Sequence, residues 1–350
     1  MKVVLADPPA YTPPYDRSLA AGLVRTGAEV ELVTSRFRYG PVAEPEGYRV
    51  RELFYPVSTR MRRHGARLAV KAIEHPFGLA GLAATRADVV HLQWVGAPEA
   101  DAWLLRTRAP LVFTAHDLLP RRTAHRSSLW RRLFDRFDRV VVHSENGRRA
   151  LAAFGVAEEK LRVIPHPVFP GEVGRRDDGR TVLALGSIRP YKGLPDAIAA
   201  VRRVEGARLL VAGDAREPID EYRTAGGDAV EWRLGWLPPP QLADVLAATT
   251  VAIFPYLPEI DQSGALLQAL GAGVPGVVYD VGGLGEVVRS FGAGRVVPAG
   301  DVAALAAALR ELIDDPAALA GARAGAERAR LELTWDASAS AHLALYHELI

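Results

Sequence analysis

Arg189 and Lys192 stand in "LALGSIRPYKGLPDAIAAV", between a run that reads as a strand and one that reads as a helix. A loop so placed lies at the carboxyl edge of a sheet. There arginine offers a fork of donors, and lysine a point charge, to a diphosphate. The same two residues also fit a solvated turn. Further on, "FPYLPEIDQSGALLQALGAGVP" ends a buried strand, crosses an acidic and polar loop, and opens a helix at Gly264. The N–H groups following Ser263 would offer an anion the positive end of that helix. Gln268 stands one turn on, on the same face; a carboxylate would be the stronger acceptor there. Asp261 and Ser263 serve equally well as N-caps.

Other chemistries find little support. "GAGVPG", Gly271 to Gly276, matches G-x-G-x-x-G but follows a helix and precedes a strand, the reverse of a dinucleotide fingerprint, and Pro275 would spoil the helix start. Walker, H-E-x-x-H and D-x-D patterns do not occur, so neither NAD chemistry nor a metal-bridged nucleotide is expected, and no cofactor. The 350 residues hold no cysteine, which removes disulfides and thiol nucleophiles and fits a cytoplasmic location. A net charge of +2 gives no reason to expect nucleic acid. The start reads as a strand and not as a signal peptide, and no apolar run reaches about 18 residues.

The elements that must position these residues alternate short apolar runs with helical patterns, the pattern of parallel sheets covered by helices. Strands are expected at Val3–Ala6, Val30–Val33, Val89–Leu92, Leu111–Thr114 and Val140–Val142, and again at "TVLALG", "RLLVAG", "VAIFPY" and "GVVYD". "RSLAAGLVRTG" supplies the first crossover helix. "PHPVFPGEVGRRDDGR" is the natural linker. The expected fold is α/β, with one doubly wound domain over 1–172 and a second over 173–335. The amphipathic tail at 336–350 forms a separate helix. Two such domains would place a ligand cleft at the carboxyl ends of their strands. Backbone around Leu234 to Leu237, at Gly235 and Leu237, would bracket a flat base.

The ordered set G-x-I-R-P-Y-K-G-L, V-A-G, L-G-W-L, Q-S-G-A-L-L-x-A-L-x-x-G-V-P and V-G-G-L-G-E resembles glycosyltransferase family 4. "DVVHLQW", "FTAHD", "VVHSENGRRAL" and "VIPHPV" resemble that family's landmarks in the first domain, and the Trp335 tail its returning helix. The resemblance implies the GT-B fold, two Rossmann-like domains facing a central cleft, and a retaining, metal-independent transferase using a nucleotide sugar. It further implies that Arg189 and Lys192 hold the donor diphosphate, aided by Ser187, Ser263, Gly264 and Ala265. His116 corresponds to a histidine near the transferred carbon. The chain departs from the pattern in three places. Arg189 precedes Lys192 by three positions, where many relatives place an arginine at Ser187. Of two glutamates eight residues apart, the second is Gln268 and the first is Ile260. Asp261, or else Glu259, then replaces the sugar-facing acid, and Glu286 is a further acid near the nucleotide. The first loop carries prolines with Tyr11 and Tyr15 instead of a glycine pair, and with Trp94 these are the expected acceptor contacts. His91 reads as structural or acceptor-facing, His143 and His166 as structural, and Asp117 as a turn former.

The arginine-dense stretches "RMRRHGARLAVKAIEH" and "RRTAHRSSLWRRLFDRFDR" fit a solvated surface or peripheral contact with an anionic membrane at its inner face. Two other functions stay open: a catalytically silent sugar-nucleotide-binding protein, suggested by Ile260 and Gln268, and a GT-B-fold epimerase or phosphorylase.

Overall fold

The computed structural model describes residues 1–38, 40–120, 123–171, 173–258 and 261–350. The chain divides into two compact units, Met1–Pro165 with Trp335–Ile350, and His166–Thr334.

The first unit holds a seven-stranded sheet built from β1 (Lys2–Asp7), β2 (Glu29–Ser35), β3 (Arg49–Phe54), β4 (Val89–Leu92), β5 (Leu111–Thr114), β6 (Arg139–Val142) and β7 (Leu161–Val163). Their spatial order is β3-β2-β1-β4-β5-β6-β7, and every pairing is parallel. Central strands are apolar on both faces because helices cover both; Val89, Val90, His91 and Leu92 of β4 are all buried. The covering helices are α1 (Pro13–Arg25), α2 (His64–Ala83), α3 (Pro98–Leu104), α4 (Ser127–Asp135) and α5 (Glu145–Phe154). Ser144 caps α5 by accepting from the Gly147 N–H, and Gly155 ends it at φ 107, the left-handed stop that glycine tolerates. The terminal helix Trp335–His347 packs on α1, where a Cβ on Gly22 would lie 3.0 Å from both Ala339 Cβ and the Trp335 carbonyl. Small residues on both helices allow that approach.

The second unit repeats the plan with six strands: β8 (Thr181–Leu185), β9 (Arg208–Gly213), β10 (Val230–Leu234), β11 (Val251–Phe254), β12 (Gly276–Tyr279) and β13 (Gly294–Val297), ordered β10-β9-β8-β11-β12-β13 and parallel. Its helices are α6 (Leu194–Val201), α7 (Asp220–Gly226), α8 (Pro239–Ala247), α9 (Gly264–Gly271), α10 (Gly282–Phe291), α11 (Val302–Asp314) and α12 (Pro316–Glu332), with α13 (Trp335–His347) belonging to the first unit. Asp301 and Asp315 cap α11 and α12 through their carboxylates.

In each sheet the winding reverses once, at β1/β4 and at β8/β11. Loops leaving neighbouring strands there run to opposite faces and leave a crevice at the carboxyl edge, the usual ligand position of doubly wound sheets. The strands at positions 49–54, 161–163, 230–234 and 294–297 were not among the expected ones. All four lie at or beside a sheet edge.

Candidate active site

The second unit's crevice is built by the loops after β8 and β11. Gly186 opens the first at φ 105, and its N–H donates to the Ala212 carbonyl at 2.8 Å. The loop then zips to the strand-end beside it, with Ile188 N–H on the Asp214 carbonyl at 2.8 Å. A 3-10 turn at Pro190–Lys192 ends at Gly193, φ 63, where any Cβ would collide with the Pro255 carbonyl. Glycine is required there because the two loops touch. The Leu257 N–H bonds the Tyr191 carbonyl at 2.8 Å across that contact.

This close approach fixes Lys192. Its ammonium lies 4.9 Å from the centroid of the buried Tyr256 ring, a cation–π contact. A Cβ at Gly186 would stand 2.7 Å from Lys192 Nζ and 3.5 Å from Ala265 Cβ, so the ammonium and the first turn of α9 meet over that glycine. A cavity of about 20 Å³ beneath is lined by Gly186, Ser187, Lys192, Pro255 and Tyr256, room for about one water. Arg189 begins the same turn and is exposed. Among the described residues, neither Arg189 nor Lys192 has an ion-pair partner, whereas Arg176, Arg180, Arg208 and Arg295 in this unit do.

Helix α9 starts opposite these cations. Ser263 is its N-cap: Oγ accepts from the Leu266 N–H at 3.2 Å and donates to the Tyr256 hydroxyl at 3.1 Å. That satisfies one of the orphan amides of a helix start. The N–H groups of Gly264 and Ala265 are left without an acceptor among the described residues. Gln268 follows one turn later, half-buried, and its amide makes no hydrogen bond among the described residues. Asp261 is only 5% exposed, and its main-chain carbonyl accepts from the Gly283 N–H at 2.6 Å, which ties the loop to the start of α10. Glu286 sits half-buried in the second turn of α10. Glu259 and Ile260 lie outside the described residues. Gly235, φ 106, leaves β10 with its N–H on the Gly213 carbonyl at 3.0 Å, and half-buried Leu237 packs into the core. Between them Trp236 is 61% exposed, an aromatic surface that the sequence reading passed over.

The first unit gathers its own cluster after β1, β4, β5 and β6. His143 Nδ1 donates to the Ile164 carbonyl at 2.9 Å, which leaves Nε2 to accept from His116 Nδ1–H at 3.4 Å. Burial pushes His143 down to about 4, so at neutral pH it is uncharged. His116 Nε2 lies 3.1 Å from Gln93 Oε1. Both ring nitrogens of His116 are thus engaged, Nδ1 by His143 and Nε2 by the Gln93 amide. Trp94 stacks on His116 at 5.2 Å and 18°, and Tyr15 meets the same ring edge-on at 4.6 Å. Tyr11 is 60% exposed and packs on Trp94. Tyr15, expected beside it as an acceptor contact, is 2% exposed and also packs on Trp335. Its ring supports His116 from beneath and is not presented to solvent.

His91 is fully buried between the Tyr346 hydroxyl, 2.6 Å away, and Thr114 Oγ1, 2.7 Å away. That is a structural position, not an acceptor-facing one. His166 Nδ1 bonds the Pro167 carbonyl at 2.7 Å, and Asp117 is half-buried beside His116. A buried acid pair, Asp7 and Asp16, gave no sequence signal. Burial pushes Asp7 up to about 6, and burial together with the Asp7 charge drives Asp16 well above the carboxylate range. Two carboxyls so placed share a proton. Asp7 also accepts from the Thr12 N–H at 3.2 Å, and Thr12 Oγ1 accepts from Trp94 Nε1 at 2.8 Å. The pair therefore anchors the proline loop that carries Tyr11.

A wider groove of about 770 Å³ lies at the opposite, amino edge of the second sheet, lined by Arg175, Arg323 and Arg330. Each of these already holds a carboxylate, Asp177 or Glu327, unlike Lys192.

The family model described as Glycosyltransferase Family 4 matches residues 16–171, and that described as Glycosyl transferases group 1 matches 179–315. D-inositol 3-phosphate glycosyltransferase of Mycobacterium marinum is 29% identical over 75% of this chain, but that match spans only 64% of the relative's length. The protein of the same name from Mycolicibacterium paratuberculosis is 30% identical over 75% of this chain and 67% of its own length. Among solved structures, sucrose-phosphate synthase from Thermosynechococcus elongatus covers 100% of this chain and 99% of its own at TM-score 0.76 and 21% identity. Anabaena HepE, solved with UDP and glucose, covers 100% of both chains at TM-score 0.73 and 17% identity. With its paired three-layer units and both halves matched by family models, the chain belongs to glycosyltransferase family 4 and has the GT-B fold.

Proposed function

We propose that the protein is a retaining, metal-independent glycosyltransferase that moves a sugar from a nucleoside diphosphate sugar to an acceptor hydroxyl. The observation that carries this is the pairing of Lys192, without a counter-ion among the described residues, with two unbonded amides at the start of α9. Such a site attracts a diphosphate. It also stabilises the charge that grows on the diphosphate as the bond from the anomeric carbon to the leaving oxygen breaks. Arg189 adds a second cation from solvent, Gln268 bonds the ribose hydroxyls, and Trp236 stacks on the base beside Gly235 and Leu237. Asp261 is the acid assigned to the donor sugar, with Glu286 nearby. On the first unit, His116 orients a sugar hydroxyl by exchanging its bond to Gln93 for one to the substrate, while Tyr11 and Trp94 form the acceptor wall. The leaving phosphate takes the acceptor's proton as the new carbon–oxygen bond forms on the same face, so no protein nucleophile is assigned.

UDP is the donor nucleotide to test first, because the Anabaena neighbour was solved with it. The location we propose is the cytoplasm, with peripheral contact at an anionic membrane face; no helix among the described residues is long and apolar enough to cross a membrane. Calorimetry with UDP, GDP and dTDP, followed by donor turnover with a pool of acceptors, tests the proposal. Tight binding of one nucleotide with release of its diphosphate supports it. Binding without any turnover favours a silent binding protein, the reading that Gln268 in place of a carboxylate suggests. Absence of binding by all three nucleotides sinks both.

A further inference from the structure

Helix α2 is inverted relative to an ordinary surface helix. Its inward side is fixed on the sheet. Leu79 and Leu82 are buried, and Gly78 and Gly81 let the helix backbone lie directly on Phe54 and Leu53. His75 bridges the Tyr55 hydroxyl at 2.7 Å and the Asp101 carboxylate at 2.6 Å. The outward side should then carry charge. Instead it shows Leu68, Ala69, Ala72, Ile73, Pro76 and Phe77, with Leu68 51%, Ile73 66% and Phe77 74% exposed. A contiguous apolar surface of this kind marks an interaction site.

Charge at the helix start says what would cover it. Arg60, Arg62 and Arg63 are exposed and have no ion-pair partner among the described residues. Glu74 of the same helix is engaged, accepting from the Val57 and Ser58 N–H groups at 2.7 and 3.1 Å. A second copy of the chain carries the same positive charges and so supplies nothing there to neutralise them. An anionic bilayer suits both features at once. We propose that α2, about 30 Å long, lies in the headgroup layer of an anionic membrane, with Ile73 and Phe77 among the acyl chains and the three arginines on lipid phosphates. This rests on the peripheral location proposed above and not on the transfer reaction.

The full chain is sedimented with vesicles of phosphatidylcholine and phosphatidylglycerol in equal parts, and with phosphatidylcholine alone. Binding should favour the anionic vesicles by about tenfold or more and should weaken as salt is raised. Ile73→Ser with Phe77→Ser, and separately Arg62→Glu with Arg63→Glu, should each lower it about tenfold. All four positions are exposed, so melting temperature and UDP binding should not change. No sedimentation of the parent chain, or variants that sediment as well as it does, would overturn the proposal. So would self-association that the apolar variant abolishes in a chain that ignores vesicles. UDP binding that persists without vesicle binding removes this surface and leaves the donor site standing; the converse result does the reverse.

Discussion

Replacing Gln268 by glutamate should tighten the grip on a nucleoside diphosphate through the ribose alone. The side chain sits half-buried in the second turn of α9, its amide unbonded among the described residues, so the near-isosteric change disturbs no contact of the fold. A neutral hydrogen bond contributes about 1 kcal/mol net and one to a charged group about 1.5–3 kcal/mol. Partial exposure argues for the low end, a gain of about 1 kcal/mol, or about fivefold in Kd. Repulsion from the diphosphate works against this, while the positive end of α9 offsets that repulsion by roughly 0.3–1 kcal/mol. Calorimetry of UDP against both proteins measures the gain, and the same titration with the 2′,3′-dideoxy nucleotide isolates its source. An unchanged Kd, or a gain that survives removal of the ribose hydroxyls, would refute the placement of Gln268 at the ribose.

Gly186→Ala places a Cβ 2.7 Å from Lys192 Nζ at φ 105; UDP affinity should fall about tenfold and the melting temperature should drop. Trp236→Ala, at an exposed position, should leave stability unchanged but weaken UDP by about 1–3 kcal/mol, with no effect on pyrophosphate, as paired titrations would show. The pH dependence of stability is set by groups shifted in opposite directions. Asp7, raised to about 6, contributes stability that is present below its unfolded value near 3.8 and is lost as pH rises through about 6, a swing of about 3 kcal/mol. His143 and His342, both lowered to about 4, contribute stability present above about 6.5 and lost as pH falls through about 4. Asp16→Asn removes a carboxyl that burial holds protonated well above its unfolded value, so between pH 4 and 6 the parent should lose stability relative to the variant as pH rises, in denaturant titrations.

Central strands were legible because both their faces are apolar: Val89–Leu92 and Leu111–Thr114 have the expected bounds. The missed strands carry charge. In Arg49–Phe54 and Val230–Leu234 most residues are partly or fully exposed, as edge strands are, and their pattern resembles loop. Ordered motifs located the loops of the second site, and the cap at Ser263 was anticipated as one of two candidates. What could not be read was burial. Nothing in "PPAYTPPYDRS" distinguishes exposed Tyr11 from sealed Tyr15, since that depends on Trp335, distant in sequence and packed on Tyr15. Asp7 and Asp16 looked like an ordinary strand end and an ordinary helix start. His143 became a partner of His116 only once β5 and β6 lay side by side. Basic residues around α2 drew notice in the sequence, but the outward turn of its apolar face required the packing of Gly78 and Gly81.

Crystals soaked with UDP would test the donor site most directly. The account predicts diphosphate oxygens within hydrogen-bond distance of the Gly264 and Ala265 N–H groups and of Lys192 Nζ. Diphosphate seated elsewhere, for example in the groove of Arg175, Arg323 and Arg330, with the start of α9 left uncontacted, would contradict it.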